Sequence, residues 1–322
     1  MIKRNLDRIK KLINEFGFLF TVKLYFLYAF SRNKLYIKYL LRMLEKENYD
    51  LIEKYNSLKK IKNDKNSKKN YIWFFWWQGK DNMPIVPQMC YKTLIKNKPQ
   101  NYEVIFIDKN NYAEYAKMPE YIMKKLEEKK FTLTHFSDLL RQELLCEHGG
   151  FWIDSTVFCP NELDNYNFEQ YKFWSVKLPF EKISKKSYGQ NISKGMYSGF
   201  LLKSDVDSFL MNFLKECNFN YWNNHEFLID YFIQILLIRL AYEKIPVVKK
   251  EVDDIEINNT NLYELDKIMN KKFDKELFDM LINDNYFFKL SWKKNYLKEI
   301  DGEKTFYGYL IENYLESEDN NE

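Results

Sequence analysis

The chain has 322 residues, 46% hydrophobic and 30% charged, which suits a globular protein with ample length for a large core. Its 4 cysteines (Cys90, Cys146, Cys159 and Cys217) form no C-x-x-C pair and its 3 histidines offer no metal spacing. A histidine-rich zinc site is therefore disfavoured and a reducing compartment expected. The net charge of +4 is uneven: residues 1–70 hold 18 Lys+Arg against 7 Asp+Glu, leaving 32 of the 50 basic and 39 of the 46 acidic residues to a body of net −7. A basic amino-terminal region suits phospholipid headgroups or nucleic acid. The acidic body and the lack of a recognised binding motif in residues 1–70 argue against nucleic acid.

In chain order, residues 1–55 read as two or three helices with basic flanks. Within them FGFLFTVKLYFLYAF (16–30) is apolar apart from Lys23, yet shorter than the about 18–20 residues a membrane span needs. It reads either as a helix packed on the body or as an interfacial helix on the inner leaflet, ringed by lysines and arginines. NSLKKIKNDKNSKKN (56–70) is polar and reads as a linker. Residues 1–70 are thus expected as a basic helical appendage, 71–314 as the body and 315–322 as a disordered acidic tail.

The body opens on YIWFFWWQG (71–79), a buried-strand run closed by glycine. IVPQMCYKTLIKNKP follows as a helix stopped by Pro99, then YEVIFID (102–108) as a strand and short helical pieces over about 110–129. Further strands are expected at 172–177, 197–204 and 286–292, and helices at 205–216 and 226–244. Alternating strands and helices imply an α/β fold with a mixed sheet. Ligands in such sheets sit at the carboxyl ends of strands, where this chain turns out at Gln78-Gly79, Asp108 and Asp154. Aromatics are heavy, at 18% of residues, and either fill the core or stack on sugars and bases.

SDLLRQELLCEHGGFWIDSTVF (137–158) concentrates the chemistry. A helix over 134–148, capped by Thr134 or Ser137, places Asp138 and Arg141 on one face. Gly149 is its left-handed stop, and Gly150 permits a tight turn or a close approach. In the strand that follows, alternation sends Trp152, Asp154 and Thr156 to one side.

The joint pattern of the aromatic strand WFFWWQG, SDLLR and GGFWID resembles the bacterial capsular polysaccharide synthesis glycosyltransferases. These have the GT-A fold and are related to the family 32-like mannosyl- and galactosyltransferases with a D-x-D motif. The resemblance covers about residues 71–300. It implies a hexosyltransferase that takes a sugar from a nucleotide diphosphate, UDP-sugar favoured, to a lipid-linked or oligosaccharide acceptor. Such an enzyme would work peripherally at the inner face of the bacterial cell membrane.

By motif position Trp77, Gln78 and Gly79 would contact the nucleobase, and Asp138 and Arg141 would hold ribose and orient the donor. Gly149 and Gly150 would border that site. Asp154 would be catalytic and the first acid of D-x-D, binding manganese or magnesium with Thr156. Thr156 departs from the pattern, because a neutral hydroxyl is a weaker ligand for a hard cation. Lys289 and Lys293 in KLSWK are then candidates to meet the diphosphate, the alternative being a solvated strand. Ser198 and Gly199 would border the acceptor or sugar pocket, and Asp230 is a second candidate catalytic acid against a helix-surface acid. The threonine also leaves open a degenerate nucleotide-sugar-binding subunit.

Overall fold

The structure, a computed structural model, describes residues 2–30, 34–61, 70–184, 186–283 and 285–317. Most of the expected linker (62–69) and of the expected acidic tail (318–322) lies outside the described residues. Four helices come first: α1 (Ile2–Phe16), α2 (Phe18–Phe30), α3 (Lys34–Glu47) and α4 (Tyr49–Ser57). Then follow β1 (Tyr71–Phe75), α5 (Ile85–Asn97), β2 (Glu103–Ile107), α6 (Tyr112–Tyr115), α7 (Glu120–Glu127), α8 (Leu133–His148), β3 (Gly150–Ile153) and β4 (Val157–Phe158). The chain continues through β5 (Phe173–Ser175), α9 (Tyr188–Ser193), β6 (Leu201–Ser204), α10 (Phe209–Asn224), α11 (Ile233–Lys244) and α12 (Pro246–Asp253). It ends with α13 (Glu264–Ile268), α14 (Lys275–Asn283), β7 (Phe288–Lys289), the hairpin β8–β9 (Glu299–Ile300, Glu303–Lys304), α15 (Phe306–Ile311) and a π-helical turn (Glu312–Glu316) that takes in the first residues of the tail expected to be disordered.

The main sheet runs β2-β1-β3-β6-β5, with β1, β2 and β3 mutually parallel and β6 antiparallel to both its neighbours, so the α/β class with a mixed sheet holds. Parallel pairing places the carboxyl ends of β1, β2 and β3 on one edge. The strand read as continuous through FWIDSTVF breaks there. Val157 N–H bonds the Asp154 carbonyl at 2.9 Å, and β4 leaves to pair with β7 in a separate two-stranded ribbon.

Helix boundaries follow local chemistry. Pro99 holds Lys98 extended, and α5 stops at Asn97. α8 starts after Thr132, not Thr134 or Ser137, because the Thr132 hydroxyl is paired with His135 Nδ1 while Ser137 Oγ turns back to the Thr134 carbonyl. Gly149 ends α8 at φ 69°. At Gly150 a Cβ would sit 2.2 Å from the Tyr71 carbonyl oxygen. Only glycine lets β3 lie this close to β1.

The helix expected over 226–244 begins at Ile233 instead. The buried Asp230 carboxylate accepts the Phe232 N–H at 2.8 Å and turns the preceding segment into a loop. The amino-terminal helices share the core of the sheet, since Leu40, Leu44, Ile52 and Tyr55 are buried in one cluster with Trp73, Phe151 and Leu237. Four tryptophans (Trp73, Trp152, Trp174, Trp222) are fully buried, whereas Trp76, Trp77 and Trp292 remain partly exposed near the end of β1.

Candidate functional site

Asp154 stands where β3 leaves the sheet, its N–H held by the Phe200 carbonyl at 3.0 Å. Trp152, two residues earlier on the same side, donates its indole N–H to Asp154 Oδ1 at 2.8 Å. From α8, Arg141 reaches Asp138 Oδ1 at 3.2 Å and Asp154 Oδ1 at 3.5 Å, and its guanidinium carbon lies 4.8 Å from the centre of the Trp152 ring. Arg141 is further clamped by the Ser137 carbonyl and hydroxyl at 3.1 Å each, by the Gly199 carbonyl and by Gln234 Oε1 at 3.5 Å. On the other side of Asp154, Lys289 Nζ lies 3.0 Å from Oδ2 and 2.7 Å from Thr156 Oγ1.

Two carboxylates thus share one guanidinium, and only one of them has a second cation. Burial drives both carboxyls up. At Asp154 Lys289 and then Arg141 outweigh it and hold the group below the ordinary carboxylate value. At Asp138 burial prevails over Arg141, the negative Asp154 adds to it, and the carboxyl is pushed up to about 6.

Beside the cluster is a pocket of about 210 Å³ lined by Asp138, Arg141, Asp154, Ser198 and Gly199. Gln190, Tyr231, Gln234 and Tyr263 complete its polar wall. Gln234 is buried and its Nε2 has no hydrogen-bond partner, which leaves a donor free for a bound hydroxyl or carbonyl. A Cβ on Gly199 would fall 3.1 Å from Ile235 Cδ1 and 3.4 Å from Gln234 Oε1, so a side chain there would crowd that wall.

The remaining expected residues are spread more widely. Trp77 packs on Tyr112 and Phe136 and lines a separate groove with Lys109, Met123, Thr132 and Leu133, at the start of α8. Gln78 is exposed, its carbonyl taken by Asn82, and Gly79 turns beside it at φ 90°. Lys293 is exposed and lies over the Trp292 ring, which packs edge-on against Trp76. Gly149 and Gly150 lie at the opposite end of β3 from Asp154, so the close approach there is that of β1 itself. Asp230 stays out of the pocket and off any helix surface: Tyr36 and Tyr188 hydroxyls donate to its Oδ2 at 2.9 and 3.1 Å. It joins α3 to α9.

Tyr231, Gln234 and Tyr263 were not singled out in the sequence. Gln234 left a trace, a lone amide inside the apolar run YFIQILLI, where an unpaired polar group is costly.

A divalent cation wants roughly six hard oxygen ligands, usually with several carboxylates. Asp154 Oδ2 and Thr156 Oγ1 are already bridged by an ammonium, and among the described residues no group of three or more Asp, Glu, His or Cys is placed to hold a metal. This donor set does not fit a resident manganese or magnesium.

The molecule is thus a mixed α/β protein with a charged, polar-walled pocket at the carboxyl end of its parallel strands. The chain belongs to the capsular polysaccharide synthesis protein family, whose sequence profile matches residues 23–310. Neither curated proteins nor solved structures yield a match.

Proposed function

We propose that this protein is a GT-A-like glycosyltransferase of capsular or surface polysaccharide synthesis, moving one sugar from a nucleoside diphosphate to a lipid-linked acceptor. The observation that carries this reading is the convergence of Asp138, Arg141, Asp154 and Lys289 beside a pocket walled by amides and hydroxyls. At about 210 Å³ the pocket is smaller than the roughly 300–1,000 Å³ of whole-ligand sites, a size for one sugar ring rather than a whole nucleotide. The base would lie outside it, on Trp77 in the neighbouring groove, with the first residues of α8 between the two.

In the reaction the C1–O bond to the diphosphate breaks and its electron pair leaves with the phosphate oxygen. The acceptor hydroxyl oxygen bonds to C1 and its proton passes to the departing diphosphate oxygen. Positive charge develops on the ring and negative charge on the leaving diphosphate. Lys289 and Arg141, fixed beforehand by Asp154, face that negative charge without having to reorganise. Asp138 and Gln234 hold hydroxyl groups, while Ser198 and Gly199 shape the sugar wall. Lys293 and Asp230 take no part.

The acceptor is expected on the cytoplasmic face of the membrane. Among the described residues no helix is long and apolar enough to cross a bilayer, but α2 exposes Phe18, Leu19, Phe26 and Phe30. Incubation with a panel of nucleotide sugars and membrane extract, following nucleotide release and sugar incorporation, tests the proposal. Failure with every donor, with or without manganese, would remove it. Thr156 in place of a second acid favours one rival, a binding subunit that holds donor without turnover, and the same assay separates the two.

A further inference from the structure

We infer that Lys289 is a built-in replacement for the divalent cation, so that this protein binds its nucleoside diphosphate without metal. The inference rests on the transferase reading above and concerns the charge that meets the diphosphate.

The two groups placed to hold a cation, the Asp154 carboxylate and the Thr156 hydroxyl, are both bonded to Lys289 Nζ, at 3.0 and 2.7 Å. A lysine reaching into such a site from a mobile loop would mean little. Lys289 instead sits in β7, paired with Val157 of β4, with its N–H on the Leu262 carbonyl at 2.8 Å and Leu290 N–H on the Thr156 carbonyl at 2.9 Å. The β4–β7 ribbon therefore fixes the turn that carries Asp154 and Thr156 against the strand that carries the ammonium. The side chain lies over the Phe200 ring at 4.5 Å and is 19% exposed, so it is guided into the site and retains access to it.

Charge explains the threonine. A second carboxylate at 156 would neutralise the lysine outright. The hydroxyl accepts its hydrogen bond without cancelling its charge, and the one negative charge of Asp154 is divided between Lys289 and Arg141. Thr156, a poor ligand for a hard dication, is a suitable partner for an ammonium.

The test is calorimetric titration of the full chain with UDP and with GDP, in excess EDTA and in manganese. Wild type is expected to bind at least one of them with the same affinity, within about threefold, in both buffers. Lys289→Met is expected to weaken that binding by about 30-fold or more. The double variant Lys289→Met/Thr156→Asp should regain it only in manganese. Binding by wild type that requires manganese, or unchanged binding by a folded Lys289→Met, overturns the inference and leaves the transferase reading standing. The wild-type comparison keeps the inference open to refutation even if the variants fail to fold. Absence of binding to either nucleotide in both buffers overturns this inference, while the transferase reading stands or falls on the full donor panel.

Discussion

Burial, only partly offset by the Arg141 guanidinium that Asp138 shares with Asp154, poises the Asp138 carboxyl near 6, while Asp154 remains ionised at lower pH. If the Asp138 carboxylate accepts donor hydroxyls, kcat/KM should fall as pH drops through about 6, and Asp138→Asn should be slower and lack that limb. Stability should move the other way. A carboxyl raised in the folded state contributes stability below its unfolded value, and that contribution is lost as pH rises through about 6. At pH 7.5 Asp138→Asn is therefore expected to raise the unfolding free energy, by at most about 3 kcal/mol on the usual conversion of pKa to free energy, and with it the melting temperature. A variant that is both less active and less stable would contradict the assignment. Asp138, Arg141 and Asp154 were legible as residues because the motif spacing is local. Lys289 was legible only as a candidate, since its 135-residue separation from Asp154 is closed by strand pairing.

At the scale of elements, the glycine pair does its work at the start of β3. Gly150→Ala should drive a methyl into the Tyr71 carbonyl and part β1 from β3, costing about 3 kcal/mol or more. Gly79→Ala, with 3.6 Å to its nearest neighbour, should cost only the strain of its φ of 90°. Denaturant melts of the two variants give the comparison, and equal losses would show that the β1–β3 contact is not what fixes glycine at 150. Helix α2 poses the opposite problem, an apolar surface left open: Leu19 is 82% exposed and Phe30 76%, with Lys10, Lys11 and Lys23 also exposed on α1 and α2. An exposed face of this kind beside cations suits anionic lipid. Co-sedimentation should show binding to vesicles containing phosphatidylserine, weak binding to neutral ones, and loss of binding in Leu19→Glu/Phe26→Glu. Equal binding to both vesicle types would rule the basic residues out of the interaction. The sequence presented α2 as either a packed or an interfacial helix; Thr21 and Leu24 face the protein, as packing requires, the opposite side is exposed, and the vesicle assay tests the interfacial alternative.

Over the whole molecule, the region set apart by its charge is joined to the rest by packing. Leu40, Leu44, Ile52 and Tyr55 enter the common core, Arg8 donates to the Ile229 carbonyl, and His225 is paired with Glu15 and Glu47. Tyr36 supplies one of the bonds that hold Asp230. Deleting residues 1–57 should therefore yield an insoluble or non-cooperatively melting protein. A soluble, sharply melting fragment would show that the body folds alone. Charge statistics separated the two regions because lysines stay on the surface while their helices bury the other face, so composition records solvent exposure and not contact. Short-range chemistry made part of this legible in the chain alone: the strand and helix alternation, the stop at Gly149, and the common side of Trp152 and Asp154. The break of the strand at Asp154, the tyrosines that tie up Asp230 and the ammonium in the expected cation position emerge only on folding. Each of those depends on partners distant in sequence, whose pairing is fixed by burial of the whole core rather than by any local pattern.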